Sequence, residues 1–301
     1  MNSPPWSTWK ADAARRLAVL ALPAALAGCA ATGSGAPDAP PAHADRAPAV
    51  GATDFVQAQR RRVEGLERFA SRGSAELRWK DAQGDHFEQA QVELAWLDHG
   101  QRLALRADKV GERLVWVGAD ASRWWIFEPK AEPSSLLVGP RGTVPPRSPV
   151  PFAGPESVME LLAATPWPDE ATLAAADQPG VQWLSWRRVT PVGGWAATRV
   201  RVRQPGSLPD RVELLAADGA VLAASSLSRP LSLQVSGLPP GAWPDVPGTV
   251  RLEMGADASW EVFWDAPGTA PERLKERLFD LEALRSVMRP GRVEVLGERE
   301  P

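Results

Sequence analysis

The sequence predicts a mainly β protein, a single domain built on a long antiparallel meander with helices before, within and after it. Apolar and polar residues alternate through successive segments from Ser74 to Phe127, which is the period of two that a pleated strand with one buried face imposes. Alternation resumes in a second series of segments between Val181 and Trp264. A chain of 301 residues with 44% hydrophobic content can bury one large core, as all-β domains of this size commonly do. Charge narrows the function classes. The net formal charge is -3 and the pI near 5.8. Arg199, Arg201 and Arg203 alternate with Val200 and Val202 as a solvated strand face, so nucleic-acid binding is not expected.

Residues 1–28 read as a targeting segment outside the fold. Lys10, Arg15 and Arg16 form a positive region, Leu17 to Ala25 an apolar stretch too short to span a bilayer, and Leu26-Ala27-Gly28-Cys29 follows. This end resembles the bacterial lipobox. The resemblance implies cleavage before Cys29, which becomes a lipidated N-terminus, and Ala30 after it is similar to the pattern sorted onward to the outer membrane. Cys29 is the only cysteine, so no disulfide can form within the chain. Residues 29–52 are rich in Ala, Pro and Gly without periodicity. They are expected to be a tether that holds the domain on average about 25 Å from the bilayer.

The folded part is expected over residues 53–290. From Asp54, a plausible N-cap, to about Ser71 the spacing becomes helical, with Phe55, Val56, Val63, Leu66 and Phe69 on one stripe. In the meander, Ala75, Leu77 and Trp79 share one face, then Ala90, Val92, Leu94 and Trp96, then Leu103, Leu105 and Ala107. Leu114 and Trp116 continue the pattern, but Val115 and Val117 opposite them are apolar too, as are all of Trp124, Trp125, Ile126 and Phe127. Two-sided apolar strands require cover on both faces. Turns are placed at Ala82–Asp85, Asp98–Gly100, Asp108–Gly111 and Gly118–Ser122.

Pro129 ends this series, and Pro133 to Pro155 reads as a long proline-rich loop. It delivers a short amphipathic helix, about Glu156 to Ala164, with Val158, Leu161 and Leu162 on one face. Such a helix gains little alone and must dock on an apolar surface, for which the uncovered face of the meander is the candidate. Strands are then expected at Val181–Val189, Trp195–Arg203, Arg211–Leu215, Val221–Ser225, Leu231–Val235, Val250–Met254 and Trp260–Trp264, with a tight turn at Asp218-Gly219. A final helix, about Pro271 to Met288, carries Leu274, Leu278, Leu281, Leu284 and Met288 on its stripe, and residues 291–301 are left as a tail.

The order of elements in Ala90 to Pro129 resembles the LolA and LolB lipoprotein-localisation carriers. The correspondence runs through an apolar strand ending at Trp96, the arginine-bearing strand Arg102 to Ala107, the apolar strand Leu114 to Gly118, Asp120 in a turn, and the aromatic strand Trp124 to Pro129. Pro247 to Pro267 is similar to the closing strands of that family, with Val250, Leu252, Phe263 and Pro267 in corresponding places. The resemblance implies an incomplete, half-open antiparallel β-barrel of about eleven strands with helices in its mouth. It implies, too, a cavity for an acyl chain or a lipoprotein lipid anchor. The cavity would be lined by Leu77, Trp79, Val92, Leu94, Trp96, Leu103, Leu105, Leu114, Trp116, Trp124 and Ile126, under a lid bearing Val158, Leu161 and Leu162. Two features depart from the pattern. The acceptor of that family carries a protruding loop with an exposed Leu, whereas Asp108-Lys109-Val110-Gly111 offers Val110, and the last helix lies beyond what the family supplies.

No catalytic residue, metal or cofactor is expected. Asp85-His86 and Asp98-His99 pair a carboxylate with an imidazole, but they sit at opposite ends of a strand, about 30 Å apart at about 3.3 Å per residue. The 14 Trp and absent Tyr suit a dry interior, because an indole brings large apolar area with a single donor to satisfy. The expected protein is therefore a monomeric, non-enzymatic lipoprotein, anchored by lipid at the periplasmic face of the outer membrane. Its partners would be the membrane and an acyl chain or lipoprotein ligand, with a role in lipoprotein or lipid transfer. The alternative is a structural or adaptor lipoprotein that fills its own concavity and binds a protein partner.

Overall fold

In the computed structural model, residues 50–296 are described apart from 82–83, 144–153, 176–178, 193–194, 255–257, 266 and 272–275. The targeting segment, Cys29 and nearly all of the tether lie outside the described residues.

Helix α1 (Ala52–Glu64) leads into β1 (Phe69–Asp81), β2 (Gly84–Leu97), β3 (Arg102–Lys109), β4 (Glu112–Ala119), β5 (Arg123–Glu128) and β6 (Ser135–Pro140). Helix α2 (Pro155–Leu161) precedes β7 (Thr172–Ala175), β8 (Gln182–Val192), β9 (Trp195–Val202), β10 (Arg211–Leu215), β11 (Val221–Ser232), β12 (Asp245–Met254) and β13 (Ala258–Trp264). Helix α3 (Leu281–Met288) and β14 (Arg292–Val295) are the last elements among the described residues. The 14 strands form one open sheet in the order β14-β6-β5-β4-β3-β2-β1-β13-β12-β11-β10-β9-β8-β7. Each neighbour pair is antiparallel except β14 with β6. The two meanders meet where β1 pairs β13, from Gly73 opposite Trp264 to Trp79 opposite Ala258. A side chain at Gly73 would put its Cβ 2.0 Å from the Phe263 carbonyl oxygen, so this seam needs glycine.

The sheet is strongly curled. Arg141, just past β6, lies 3.3 Å from Glu156 at the start of α2, while Ser225 of β11 donates a 2.5 Å hydrogen bond to the Leu161 carbonyl at its end. In a flat sheet β6 and β11 would stand about 38 Å apart, at about 4.8 Å per strand, yet a helix of this length reaches only about 10 Å. The sheet therefore wraps around α2.

Several elements correct the sequence expectation. Helix α1 stops at Glu64, not near Ser71; Leu66 and Phe69 are buried, but from the following turn and from β1. Gly51 is the N-cap, and Asp54 in the first turn accepts its amide at 2.9 Å. Ser135–Pro140, inside the expected loop, is a strand whose apolar run Leu136-Leu137-Val138 pairs with β5; residues 144–153 of that loop lie outside the described residues. The two segments Val221–Ser225 and Leu231–Val235 are largely one strand. Pro230 is tolerated because β10 ends opposite Ser226, so beyond that point β11 is an edge on that side and no ladder hydrogen bond is lost there. The last helix is shorter than expected, since Asp280 accepts the Glu282 and Ala283 amides and starts α3 afresh after a 3-10 turn at Glu276–Phe279.

Burial falls on both faces, as the two-sided strands require. The principal core fills the concave side. A smaller one on the convex side places Trp116, Trp125, Phe127, Leu136 and Val138 beneath Leu281 and Leu284 of α3. Trp125 lies flat on Gly118, where a Cβ would come within 2.3 Å of its ring.

Candidate functional site

The concave face is apolar from β5 to β8. Phe55, Val56 and Val63 of α1 belong to the same core cluster as Leu94, Trp96, Trp260 and Trp264. Two of the indole donors are satisfied at the margins: Trp96 donates to the Leu66 carbonyl at 2.7 Å and stacks on Phe69, and Trp124 donates to the Thr143 hydroxyl at 3.2 Å.

Helix α2 lies inside this concavity and is latched at its C-terminal end. A helix end leaves carbonyls without intrahelical partners. Two of α2's are closed by its own chain, with the Ala164 amide donating to Met159 and the Ala163 amide to Glu160, at 2.8 Å each. The turn requires Ala163 to adopt a positive φ of 52°. The Leu161 carbonyl, and those of Ala163 and Thr165 just past the helix, are met by the body of the protein. Ser225 donates to Leu161, Gln59 donates to Ala163 and Thr165 at 2.8 Å each, and Arg62 donates to Ala163. Arg62 also donates to the Asp245 carbonyl at 2.7 Å and to Gln59 at 3.0 Å, which ties α1, α2 and β12 together. Burial lowers its pKa to about 10, so it remains a cation at neutral pH, set against the negative end of the α2 dipole.

Glu160 is the buried charge-bearing group of α2 itself. Its carboxyl accepts from Thr165 at 2.8 Å and is hydrogen-bonded to Thr198, with Arg188 nearby. Burial nevertheless dominates and pushes its pKa up. Thr198 also accepts from Trp195, whose ring carries the Arg188 guanidinium 3.9 Å from its centroid.

Of the sequence-predicted lining, Leu77, Trp79, Val92, Leu94, Trp96, Leu103, Trp124 and Ile126 share the concave cluster, with Leu105 and Leu114 half-buried at its edge. Trp116 does not belong to it. A β-bulge sets Ala107 opposite Val115 but Asp108 opposite Arg113, leaving Leu114 as the extra residue. The phase of β4 flips there, so Val115 and Val117 turn inward and Trp116 turns outward, beneath α3 and beside Arg113. In α2, Leu161 is buried against Trp195, Leu214 and Ala223, and Val158 and Leu162 are half-buried on the principal core. Met159, outside the predicted lid face, is as deeply buried and packs on Gly100. Gln59, Arg62, Glu160, Thr198 and Ser225 were not singled out by sequence. The signal was polar residues in apolar phase, for Gln59 and Arg62 fall four and seven residues after Phe55 on the buried side of α1.

No family model matches the sequence, and no curated protein does. Among solved structures with this architecture, a LolA superfamily protein from Nitrosomonas europaea is 11% identical, with a TM-score of 0.51 over 76% of this chain and 98% of its own. A domain described as an outer membrane lipoprotein-sorting protein, from Vibrio parahaemolyticus, is 14% identical, with a TM-score of 0.51 over 78% of this chain and 97% of its own. The chain has a LolA-like fold. Among the described residues, the concavity is closely filled beside Leu162. Between Arg62, Leu94, Trp96 and Leu162 only about 10 Å³ remains, scarcely room for one water.

A larger groove of about 630 Å³ opens at the hairpin end of β1, β2, β12 and β13. Its cations are already matched, with Arg78 3.0 Å from Glu76, Lys80 3.5 Å from Asp85 and Arg251 3.7 Å from Glu253. The two Asp-His pairs flank opposite ends of β2 and form no common site; Asp98 accepts from Arg102 at 2.7 Å, and His86 stacks on Trp79. Among the described residues no cluster could hold a metal ion, and no helix is long and apolar enough to cross a membrane.

Proposed function

We propose that this chain is a lipid-anchored carrier of the bacterial envelope that binds an acyl chain in the concavity by displacing α2. The observation that carries the reading is the manner in which α2 is held. The central element of the concave face is seven residues long and fastened by side-chain hydrogen bonds rather than by strand pairing. It can therefore leave without breaking the sheet. Burying a chain of about fourteen carbons at about 0.8 kcal/mol per methylene offers on the order of 10 kcal/mol, which can offset the lost contacts of α2. Because α2 sits within the concavity, it acts as a plug that competes with ligand and not as a lid that closes over it. The lipobox motif supports anchoring through Cys29 at the outer membrane, and the LolA-like fold supports transfer of a lipid or lipoprotein as the purpose.

The test is titration of the full-length, lipid-stripped chain with a dansyl-labelled fatty acid. Saturable uptake that excites the dansyl group from nearby tryptophans is expected. Absence of uptake by folded protein would favour the second reading, an adaptor lipoprotein with a permanently self-filled concavity, to which the tight filling around Leu162 lends support. Anchoring is tested separately. Radioactive palmitate should label the wild type and not Cys29→Ser, and equal labelling of both would remove the anchor from the account.

A further inference from the structure

We propose that the loop between β11 and β12 seats in the headgroup boundary of a lipid bilayer. The inference rests on the anchoring part of the proposed function and not on the displacement of α2. No charged residue stands between Arg229 and Asp245, and Ser236 to Ala242 are exposed without interruption. Leu238, Pro239, Pro240 and the half-buried Trp243 thus present apolar surface on the outside of the molecule.

The loop has already closed much of its own hydrogen bonding. The Leu238 amide donates to Val235 at 3.2 Å, the Ala242 amide to Pro239 at 2.8 Å and the Trp243 amide to Pro240 at 3.4 Å, while Pro239 and Pro240 have no amide hydrogen. The Trp243 indole donates to the Leu238 carbonyl at 3.0 Å. A segment entering the hydrocarbon boundary must meet its backbone polar groups internally, whereas a protein-binding loop gains by offering them to its partner. Indole, apolar with one polar edge, suits that boundary. The feet of the loop are fixed, with the Leu233 amide donating to the Pro244 carbonyl at 2.9 Å and the Thr269 hydroxyl to the Gln234 carbonyl at 3.1 Å.

The tether reaches the same surface. Pro244, at one foot, lies against Gly65 at the C-terminal end of α1. The 13 residues of α1 span about 20 Å at about 1.5 Å each, within the distance of about 25 Å that the expected tether covers on average. An anchor at Cys29 and this loop can therefore meet one bilayer. The β3–β4 tip faces away from it, since β3 runs antiparallel to β11 and carries Val110, 96% exposed, toward the opposite end of the sheet.

The test places a nitrobenzoxadiazole label at Leu238→Cys in the full-length Cys29→Ser chain, where it is the only thiol. An N-terminal histidine tag holds the chain on vesicles of phosphatidylethanolamine and phosphatidylglycerol that carry a nickel-chelating lipid. The readout is then independent of lipidation, and failure of the anchor is read separately by the palmitate label. Doxyl-labelled lipid should quench the label at Leu238→Cys severalfold more than the same label at Val110→Cys. Gly241→Glu puts a charge where a Cβ meets nothing within 4 Å, and should lower the quenching to the Val110 level without disturbing the fold. No quenching at Leu238→Cys in the tethered, folded chain would overturn the proposal and leave a protein as the partner of this loop. Equal quenching at the two tips, or quenching undiminished by Gly241→Glu, would overturn it as well.

Discussion

At Glu160 a carboxyl group is buried on the helix that the proposed carrier displaces, and the sign of its effect follows from its environment. Burial raises its pKa above the ordinary 4.5, so the docked helix favours the protonated acid. The stabilisation is complete below the ordinary value and is lost as pH rises through the raised one. Arg188 opposes the shift from β8, and Arg62 reaches the same end of α2 through the Ala163 carbonyl. Glu160→Gln keeps an uncharged hydrogen-bonding group at this place. It is expected to flatten the pH dependence of the urea midpoint above the ordinary carboxyl value and to leave α2 more firmly docked than in the wild type once pH has risen past the raised pKa. A variant midpoint that tracks the wild type at every pH would show that Glu160 does not titrate with docking. Sequence alone could suggest Gln59 and Arg62, polar residues in the buried phase of α1. It could not reveal Ser225, whose role exists only because α2 arrives from 64 residues away.

Secondary structure was legible wherever one physical rule acted alone. The hairpins of β1 to β5 follow from alternation, and their turns fall where Asp and Gly interrupt it. Legibility ended where rules competed. The prolines around Ser135–Pro140 concealed β6, and the bulge at Leu114 reversed the face of Trp116, because alternation carries no mark of a doubled residue. Edge strand β14 is exposed along its whole length, which leaves no apolar pattern to read. For α2 the apolar stripe predicted docking, but whether it covers or occupies the concavity depends on the curl of the sheet. That distinction sets the sign of a mutational effect. Leu161→Ala should weaken docking by about 2–5 kcal/mol and so raise the apparent affinity for the dansyl fatty acid, since less of the binding energy is spent on opening. A lid closing over the ligand would lose affinity instead.

The whole molecule depends on the β1–β13 seam, which joins the two meanders into one curled sheet. Gly73→Ala would drive a Cβ into the Phe263 carbonyl and should cost on the order of 3 kcal/mol in denaturant unfolding. Gly241→Ala, with open space around its position, should stay within about 0.5 kcal/mol of the wild type. Equal losses at both sites would mean that the halves do not meet there. The central claim is that the acyl site is the space α2 occupies, and hydrogen exchange tests it most directly. At saturation with monopalmitoylglycerol, the amides of Leu162, Ala163 and Ala164, which close the end of α2, should exchange faster than in the ligand-free protein, while those of β1 and β13 keep their protection. Unchanged or increased protection of α2 with ligand bound would contradict the account.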